Sequence, residues 1–419
     1  MQLFAWFAVA CAAFGGIYQL FQCFAAWRFF HRAARTFRLP APGVALPPVT
    51  LLKPLKGPGI ALYENLESFC RQDYPAYQIV FGVEDPNDPA AAIVQQIRRD
   101  FPDHDIVLSV GDRPGTNRKI ANLRHMMRHA RHDVLVMSDA DIRVRPDYIR
   151  TMVAPFVDPA AGSRVGLTTC LYRGVGHFGL PSVLESLFIN TDFFPMVLTA
   201  QLVDKFEYAY GASIGFRREA LDQIGGFEGI ADYLADDFLM GYRIAKAGWG
   251  LVLVPYTVET VLDSRTLGDV WRHLLRWSRT NRAARPASWF FVVLTHATLW
   301  GCLALLATGG SPLGWAAFAW ALGCRLLGIA NVLTRLGEHE TLRHLWLVPL
   351  KDLCHSLLWA VTFLGNRVTW SEQEFRVLPD GRMVPLAPAP RVVAAAPAAS
   401  AGDRGYGEHD DGAGAPLAS

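Results

Sequence analysis

Between Leu3 and Trp27 the chain carries no charged residue, and no Lys or Arg precedes that run. A cleavable signal has a basic flank first and a shorter apolar core, so the pattern argues for an uncleaved anchor. The run is longer than the roughly 20 apolar residues that span a bilayer core. Arg28, Arg32, Arg35 and Arg38 follow it, which turns the next part of the chain toward the cytoplasm. No Cys-x-x-Cys pair occurs among the seven cysteines, and Cys11, Cys23, Cys302, Cys324 and Cys354 lie in apolar segments. That excludes a disulfide framework and a cysteine zinc site, in keeping with a reducing compartment. Charge of one sign is missing too: a net charge of +2 gives no basis for nucleic-acid binding. No Gly-x-Gly-x-x-Gly is expected to follow a strand, which sets aside a dinucleotide-binding dehydrogenase, and no internal repeat is apparent.

What is present is apolar excess, unevenly placed: 51% hydrophobic against 19% charged residues. Residues 1–30 form the anchor. Residues 288–365 form a second apolar region, divisible into Ser288–Thr308, Pro312–Leu333 and Leu345–Gly365. The third segment contains Lys351, Asp352 and His355, costly in lipid unless paired or facing protein. Three full crossings would leave the tail outside, yet Arg367, Arg376 and Arg382 argue for inside. One of the three segments is therefore expected to be re-entrant or interfacial. Residues 383–419, rich in Pro, Ala and Gly, are expected to be disordered.

Residues 48–257 alternate strand and helix signals. Val49–Leu52, Tyr77–Val83, Ile106–Val110 and Val134–Met137 read as strands; Ala90–Arg99, Lys119–His129 and Arg218–Ile224 read as helices. The alternation predicts an α/β domain with a mostly parallel sheet and helices on both faces. Ligands of such sheets bind outside the carboxyl ends of the strands. Asp85 and Asp139 each stand where an apolar strand ends, so one crevice should hold both. Residues 258–287 combine Arg with Trp271 and Trp277 ahead of the apolar region and predict an interfacial amphipathic helix.

Four groups could carry chemistry, each with a plainer alternative. Asp139 and Asp141 suit a hard cation bridged to phosphate, although acids at turns are common. Asp236-Asp237 open an apolar-periodic helix, where one acid could cap and the other act as a general base. Arg276-Trp277 offers a cation for phosphate beside an aromatic ring, or simply a membrane-surface face. Asp85, in Glu84-Asp85-Pro86-Asn87-Asp88-Pro89, could accept bonds from a nucleobase or make a turn before proline. Lys119 could reach phosphate or decorate a helix start.

Taken in order, the strings Leu52-Lys53-Pro54-Leu55-Lys56-Gly57, Glu84-Asp85-Pro86-Asn87-Asp88-Pro89, Ser138-Asp139-Ala140-Asp141-Ile142-Arg143-Val144, Ala235-Asp236-Asp237-Phe238 and Arg276-Trp277 resemble the ceramide glucosyltransferase family, including its bacterial hopanoid-pathway relatives. The resemblance covers roughly Val49 to Arg282. It implies a GT-A fold (Rossmann-like) between membrane helices, a UDP-sugar donor, a lipid acceptor and inversion at the anomeric carbon. By position it implies that Asp85 contacts uracil and Lys119 lies near the donor. Asp139 and Asp141 would hold Mg²⁺ or Mn²⁺ on the diphosphate, with Asp237 as the base. Arg276 and Trp277 would close a (Q/R)xxRW motif. His273 stands where Gln or Arg is expected, with Arg272 as a neighbouring substitute. The Ala- and Arg-rich composition suggests a bacterial cytoplasmic membrane with the catalytic part inside; glucose or N-acetylglucosamine as the sugar, and a hopanoid polyol or ceramide as the acceptor, stay open. A processive polysaccharide synthase shares these acids but threads its product through more membrane segments. A non-catalytic membrane scaffold would have no reason to keep every acid.

Overall fold

The computed structural model describes residues 1–41, 43–111, 115–158, 164–176, 179–370 and 373–386. A long helix, α1 (Gln2–Thr36), leads into β1 (Val49–Pro54), α2 (Leu62–Cys70), β2 (Tyr77–Val83), α3 (Pro89–Asp100), β3 (Asp105–Val110), α4 (Arg118–Met126) and β4 (Val134–Ser138). These four strands lie parallel in the order β3-β2-β1-β4. Their side chains alternate between two cores. Leu51, Ile79, Phe81, Val134 and Val136 face the α2, α3 side; Leu52, Val80, Leu135 and Met137 face the α4 side. A strand buried on both faces is an unbroken apolar run, which is why these strands are readable in the sequence. Each fully buried Leu, Ile or Phe contributes about 1.5–3 kcal/mol through its area removed from water.

The other half of the sheet is mixed. After β5 (Ile142–Arg143) and α5 (Tyr148–Val157) comes β6 (Val165–Val175), then α6 (Leu180–Phe188), a π-helix (Ile189–Phe193) and α7 (Phe194–Val203). Then follow β7 (Ser213–Arg217), α8 (Arg218–Gln223), α9 (Asp236–Lys246) and β8 (Gly250–Val261). The sheet continues β4-β7-β6-β8-β5, with β7 antiparallel to both neighbours and β5 antiparallel to β8. The strand β8 runs to Val261, so a division at residue 257 cuts through it. The string Gly174-Val175-Gly176-His177-Phe178-Gly179 does have dinucleotide spacing and follows a strand. Its first glycine serves packing instead: a Cβ on Gly174 would lie 3.1 Å from the Ser186 Cα.

Beyond β8 come α10 (Leu267–Ala284), α11 (Pro286–Phe291), α12 (Ala297–Ala307), α13 (Pro312–Leu336), α14 (His339–Leu342) and α15 (Val348–Val361). Gln2–Arg32, Leu180–Val203, Pro312–Leu336 and Leu345–Leu364 are long and apolar enough to cross a membrane, and Pro286–Thr295 with Ala297–Ala307 forms a pair bent by 54°. The segment Leu180–Val203 was not singled out in the sequence. Contacts give the directions. Phe7 meets Trp300 edge-on at 5.4 Å and Gly15 abuts Ala297, so α12 runs antiparallel to α1. Trp320 Nε1 donates to the Ala13 carbonyl and Arg325 to Gln19, so α13 runs parallel to α1. The helix α15 behaves differently. Its start packs with Ile329 and Leu333 near the end of α13, and its end meets Trp289 of α11 through Trp359 and Thr362.

Three short strands follow: β9 (Arg367–Trp370), β10 (Gln373–Val377) and β11 (Met383–Pro385), antiparallel in the order β11-β10-β9. The first residues of the expected tail, Met383–Pro385, are therefore an ordered strand instead; residues 387–419 lie outside the described residues. This hairpin docks on the α/β domain: Met383 N–H donates to the Asp232 carbonyl and Leu234 N–H to the Gly381 carbonyl. The chain on either side of the C-terminal apolar region thus lies on the same side, which requires an even number of crossings. The pair α11–α12 and the helix α13 supply two. The segment Leu345–Leu364 has both ends beside elements that flank the α/β domain, so we propose that it is the one that does not cross. In a cysteine-free background, Pro312→Cys at the start of α13 and Glu374→Cys on β10 should react with membrane-impermeant maleimide from opposite faces of sealed vesicles. Labelling from the same face would refute this threading.

Candidate active site

The acid-bearing segments sit at the carboxyl end of β4 and the amino end of α9, held by a buried lysine and a half-buried one. Asp139-Ala140-Asp141 is the turn from β4 to β5. Its first carbonyl accepts a bond from Lys53 Nζ at 2.5 Å, and Val261 N–H donates to the Asp141 carbonyl at 2.9 Å. Lys53 is fully buried at the end of β1, over the Phe69 ring at 3.8 Å. Burial brings its ammonium down to about 7, with Asp141 and Asp139 opposing. Lys119, in the first turn of α4, lies 2.6 Å from Asp139 Oδ1 and donates to the Gly211 carbonyl at 3.2 Å. Burial works against its charge, but Asp139, Asp236 and Asp237 together raise its pKa.

Asp236 and Asp237 open α9. Asp237 accepts bonds from Gly211 N–H and Phe238 N–H, both at 2.7 Å. Gly211 is required for that approach, since a Cβ there would lie 3.0 Å from Asp237 Oδ2. Asp236 is buried and its Oδ2 has no hydrogen-bond partner among the described residues. Burial pushes Asp236 up to about 7, with Lys119 opposing. Asp237 is raised for the same reasons. Asp141 faces cleft solvent, yet desolvation and the adjacent Asp139 carboxylate push it up to about 7.

Arg276 reaches this cluster from α10. Burial lowers its pKa while Asp236 and Asp139 oppose that effect. Among the described residues its guanidinium makes no ion pair; it lies 5.8 Å from the Trp370 ring of β9. Trp277 packs edge-on to Tyr172 at 6.2 Å and to His273 at 4.4 Å. The expected interfacial helix is thus a wall of the cleft, with Val270 and Leu274 buried against Phe188 and Leu358. His273 bonds the buried Glu185 at 2.5 Å, and Ser264 donates to the same carboxylate. Arg272 does not replace it: its guanidinium is exposed and pairs with Asp269 at 2.5 Å.

The structure therefore brings together Lys119, Asp139, Asp141, Asp237 and Arg276, with Trp277 beside them. Asp85 lies at the same end of the sheet but two strands away from β4, about 10 Å by strand spacing. Its carboxylate closes a turn onto Asn87 N–H at 2.8 Å. Among the described residues no hydrogen bond or ion pair joins it to the other acids. The sequence reading missed Lys53, Gly211, Tyr172, Glu185 and the hairpin. A lysine inside an apolar strand and a glutamate inside an apolar helix were the available signals for two of them.

No three metal-type side chains converge among the described residues. Two crowded carboxylates at a turn, one of them pushed well above its ordinary range, still fit a hard cation whose other ligands are phosphate and water. The arrangement is that of an α/β domain with an acid-rich nucleotide-type crevice beside membrane helices. Residues 7–383 match the profile of glycosyl transferase family 21, and the chain belongs to that family. It is similar to ceramide glucosyltransferase 3 of Caenorhabditis elegans, 26% identical over 58% of this chain and 52% of that protein. It is also similar to ceramide glucosyltransferase of Gibberella zeae, 32% identical over 36% and 29%. The chain spans about half the length of the first of these relatives. The mannosyltransferase PcManGT of Pyrobaculum calidifontis, solved with GDP-Man and Mn²⁺, shares the fold: TM-score 0.53, 20% identity, 87% of this chain and 98% of that one.

The perturbed acids set a pH dependence. Protonation of Asp141 and Asp236 favours the folded chain, and that contribution is lost as pH rises from about 4 through about 7. Lys53, depressed to about 7, acts oppositely: its penalty, full below about 7, relaxes toward its ordinary range near 10. Asp236→Asn should therefore raise the melting temperature of the ligand-free protein at pH 8 by roughly 2 °C or more. The gain should shrink toward pH 5. An equal gain at both pH values would contradict the assignment.

Proposed function

We propose that this protein transfers one sugar, glucose or N-acetylglucosamine, from a UDP-sugar to a hydroxyl of a membrane lipid, a hopanoid polyol or ceramide, with inversion. The observation that carries the reading is the gathering of Asp139, Asp141 and Asp237 around Lys119, with Arg276 facing them from a helix that joins the membrane region. Family membership and the ceramide glucosyltransferase relatives support it.

Asp237 is suited to the general base. Its pKa is raised by burial, which brings a carboxylate closer to the operating pH where base catalysis is most effective. Two backbone donors hold it in one orientation, so it can take the proton from the acceptor hydroxyl as that oxygen attacks the anomeric carbon. The C–O bond to the diphosphate breaks on the opposite face, and an α-linked donor gives a β-linked glycolipid. Arg276 places a guanidinium where negative charge develops on the departing diphosphate. Lys119 does the same from α4, and Asp85 is available to the base at the far end of the crevice. Asp139 and Asp141 would hold Mg²⁺ or Mn²⁺, which supplies positive charge for the diphosphate oxygens. The membrane would be the bacterial cytoplasmic membrane, with the cleft on its inner side.

Asp237→Asn should lower kcat by about 10²–10⁴-fold and leave UDP affinity within a factor of about two, measured by lipid mass spectrometry and calorimetry. Normal turnover would remove Asp237 as base. Asp139→Ala should weaken UDP binding about ten-fold or more with Mn²⁺ present, the scale of a lost charged contact, and change little in EDTA. Equal losses in both conditions would argue against a metal held there.

A further inference from the structure

Buried charges on the membrane side of the molecule are matched: Arg325 and Lys351 both pair with Asp192 and Asp352. The arginines of α10 are not matched in the same way. Arg272 pairs with Asp269 at 2.5 Å, and Arg285, just past the helix, pairs with Asp204 at 2.6 Å. Between them, Arg279 and Arg282 form no ion pair among the described residues. Their bonds run to backbone instead: Arg279 donates to the Arg367 carbonyl and Arg282 to the Gly365 carbonyl at 3.0 Å. A neutral carbonyl leaves the charge uncompensated, and each guanidinium carries five donors. Arg279 Nε, shut off from solvent, has no hydrogen-bond partner among the described residues. Burial lowers the pKa of both arginines, and the charge of Arg282 adds to the shift at Arg279.

The hairpin adds charge of the same sign. Arg367 stands directly opposite Arg376 across β9 and β10, an arrangement that destabilises an antiparallel pair. Both side chains are exposed. Although Glu374 shares that exposed face, neither arginine forms an ion pair among the described residues. The surroundings set the depth. Arg282 lies 5.8 Å from the Phe363 ring, which in turn meets Phe290 at 6.2 Å. Phe290, Phe291, Phe363 and Leu364 are all exposed, and they belong to segments of the C-terminal apolar region. Exposed Phe and Leu beside guanidinium groups mark the boundary between acyl chains and headgroups.

We infer that Arg279 and Arg282, with Arg367 and Arg376 beside them, bind the phosphate of an anionic phospholipid in the leaflet next to the cleft. A guanidinium meets phosphate oxygens in a bidentate manner, and the donors left over at Arg279 and Arg282 suit that geometry. A zwitterionic headgroup brings an ammonium among four unpaired cations, so the site favours a headgroup of net negative charge. The acyl chains would lie against Phe363 and Leu364. This lipid is an accessory ligand outside the acid cleft and not a sugar acceptor, and the inference does not rest on the transferase reading. Its occupancy would bear on the cleft through α10, where Arg276 stands one turn before Arg279.

The test titrates the full chain in detergent with dioleoyl phosphatidylglycerol or dioleoyl phosphatidylcholine and follows bound lipid by native mass spectrometry. Phosphatidylglycerol should bind the wild-type chain about ten-fold more tightly or better, an arm that needs no variant. Arg279→Gln with Arg282→Gln should weaken its binding about twenty-five-fold, about five-fold for each arginine near an anionic headgroup, and leave phosphatidylcholine unchanged. Arg367→Gln with Arg376→Gln should weaken it in the same direction; those two side chains make no hydrogen bond among the described residues, so this variant serves if the first fails to fold. Arg272→Gln, outside the site, should bind as the wild type does. Equal affinity for the two lipids, binding indifferent to either folded double variant, or an equal loss in Arg272→Gln would each overturn the inference.

Discussion

Four carboxylates crowd the ends of β4 and α9, and the fold around them is organised to keep that crowd in place. Asp139, Asp141, Asp236 and Asp237 cannot all ionise freely at short range. Lys119 bridges Asp139 to the loop before β7, and Lys53 ties the backbone of the Asp139 turn to the end of β1. Each lysine therefore joins two strands as well as balancing charge. The parallel order β2-β1-β4 puts those strand ends side by side, so the sheet decides where the cations can stand. Asp236 and Asp141 titrate high chiefly because burial strips water from their carboxylates, with the neighbouring acids adding to the shift and the lysines opposing it.

The cleft is also built from the membrane side. The helix α10 carries Arg276 and is held by the buried Glu185 of α6 through His273. On its other flank Arg279 donates to the Arg367 carbonyl and Arg282 to the Gly365 carbonyl, just past α15. The hairpin that follows grips Asp232 and Leu234, immediately ahead of the acids on α9. One short sheet thus touches the two groups that face each other across the cleft. Movement of the membrane helices would be felt at both Arg276 and Asp237, although they lie on separate elements.

The strands β1 to β4 were legible because each is buried on both faces and reads as an apolar run. Tyr77–Val83 appears in the structure with the same bounds. The strands β6 and β7 were not. Thr168, Thr169 and Ser213 place polar side chains in their buried stretches, bonded to neighbouring backbone or to Tyr148, so apolar periodicity fails there. The acids were legible as an ordered set. What holds them was less so: Lys53 pairs with a carbonyl 86 residues away, a contact that only the sheet order creates. Which of the three C-terminal segments fails to cross was not legible for a related reason. Hydropathy reports length and composition, and α15 passes that test while its threading is fixed by Trp289 and by the docked hairpin.

The π-helix explains how one stretch of chain serves both halves of the molecule. Ser186 of α6 and Asn190 at the start of the π-helix bond the backbone of Gly174 on β6, fixing that face against the sheet. An α-helix continued through Ile189–Phe193 would keep turning about 100° per residue in the same register. The wider turn inserts one extra residue and resets the face that follows. Asp192 then points to Arg325 and Lys351, while Phe193 lies between Tyr172 and Tyr210 beneath the acids. Adjacent residues thereby belong to a membrane ion-pair cluster and to the floor of the cleft. Buried ion pairs contribute little net stability against well-packed apolar side chains, so stability alone does not account for four charges here. Their geometry does: the cluster fixes α13 and α15 to the one helical turn whose next side chain supports the site.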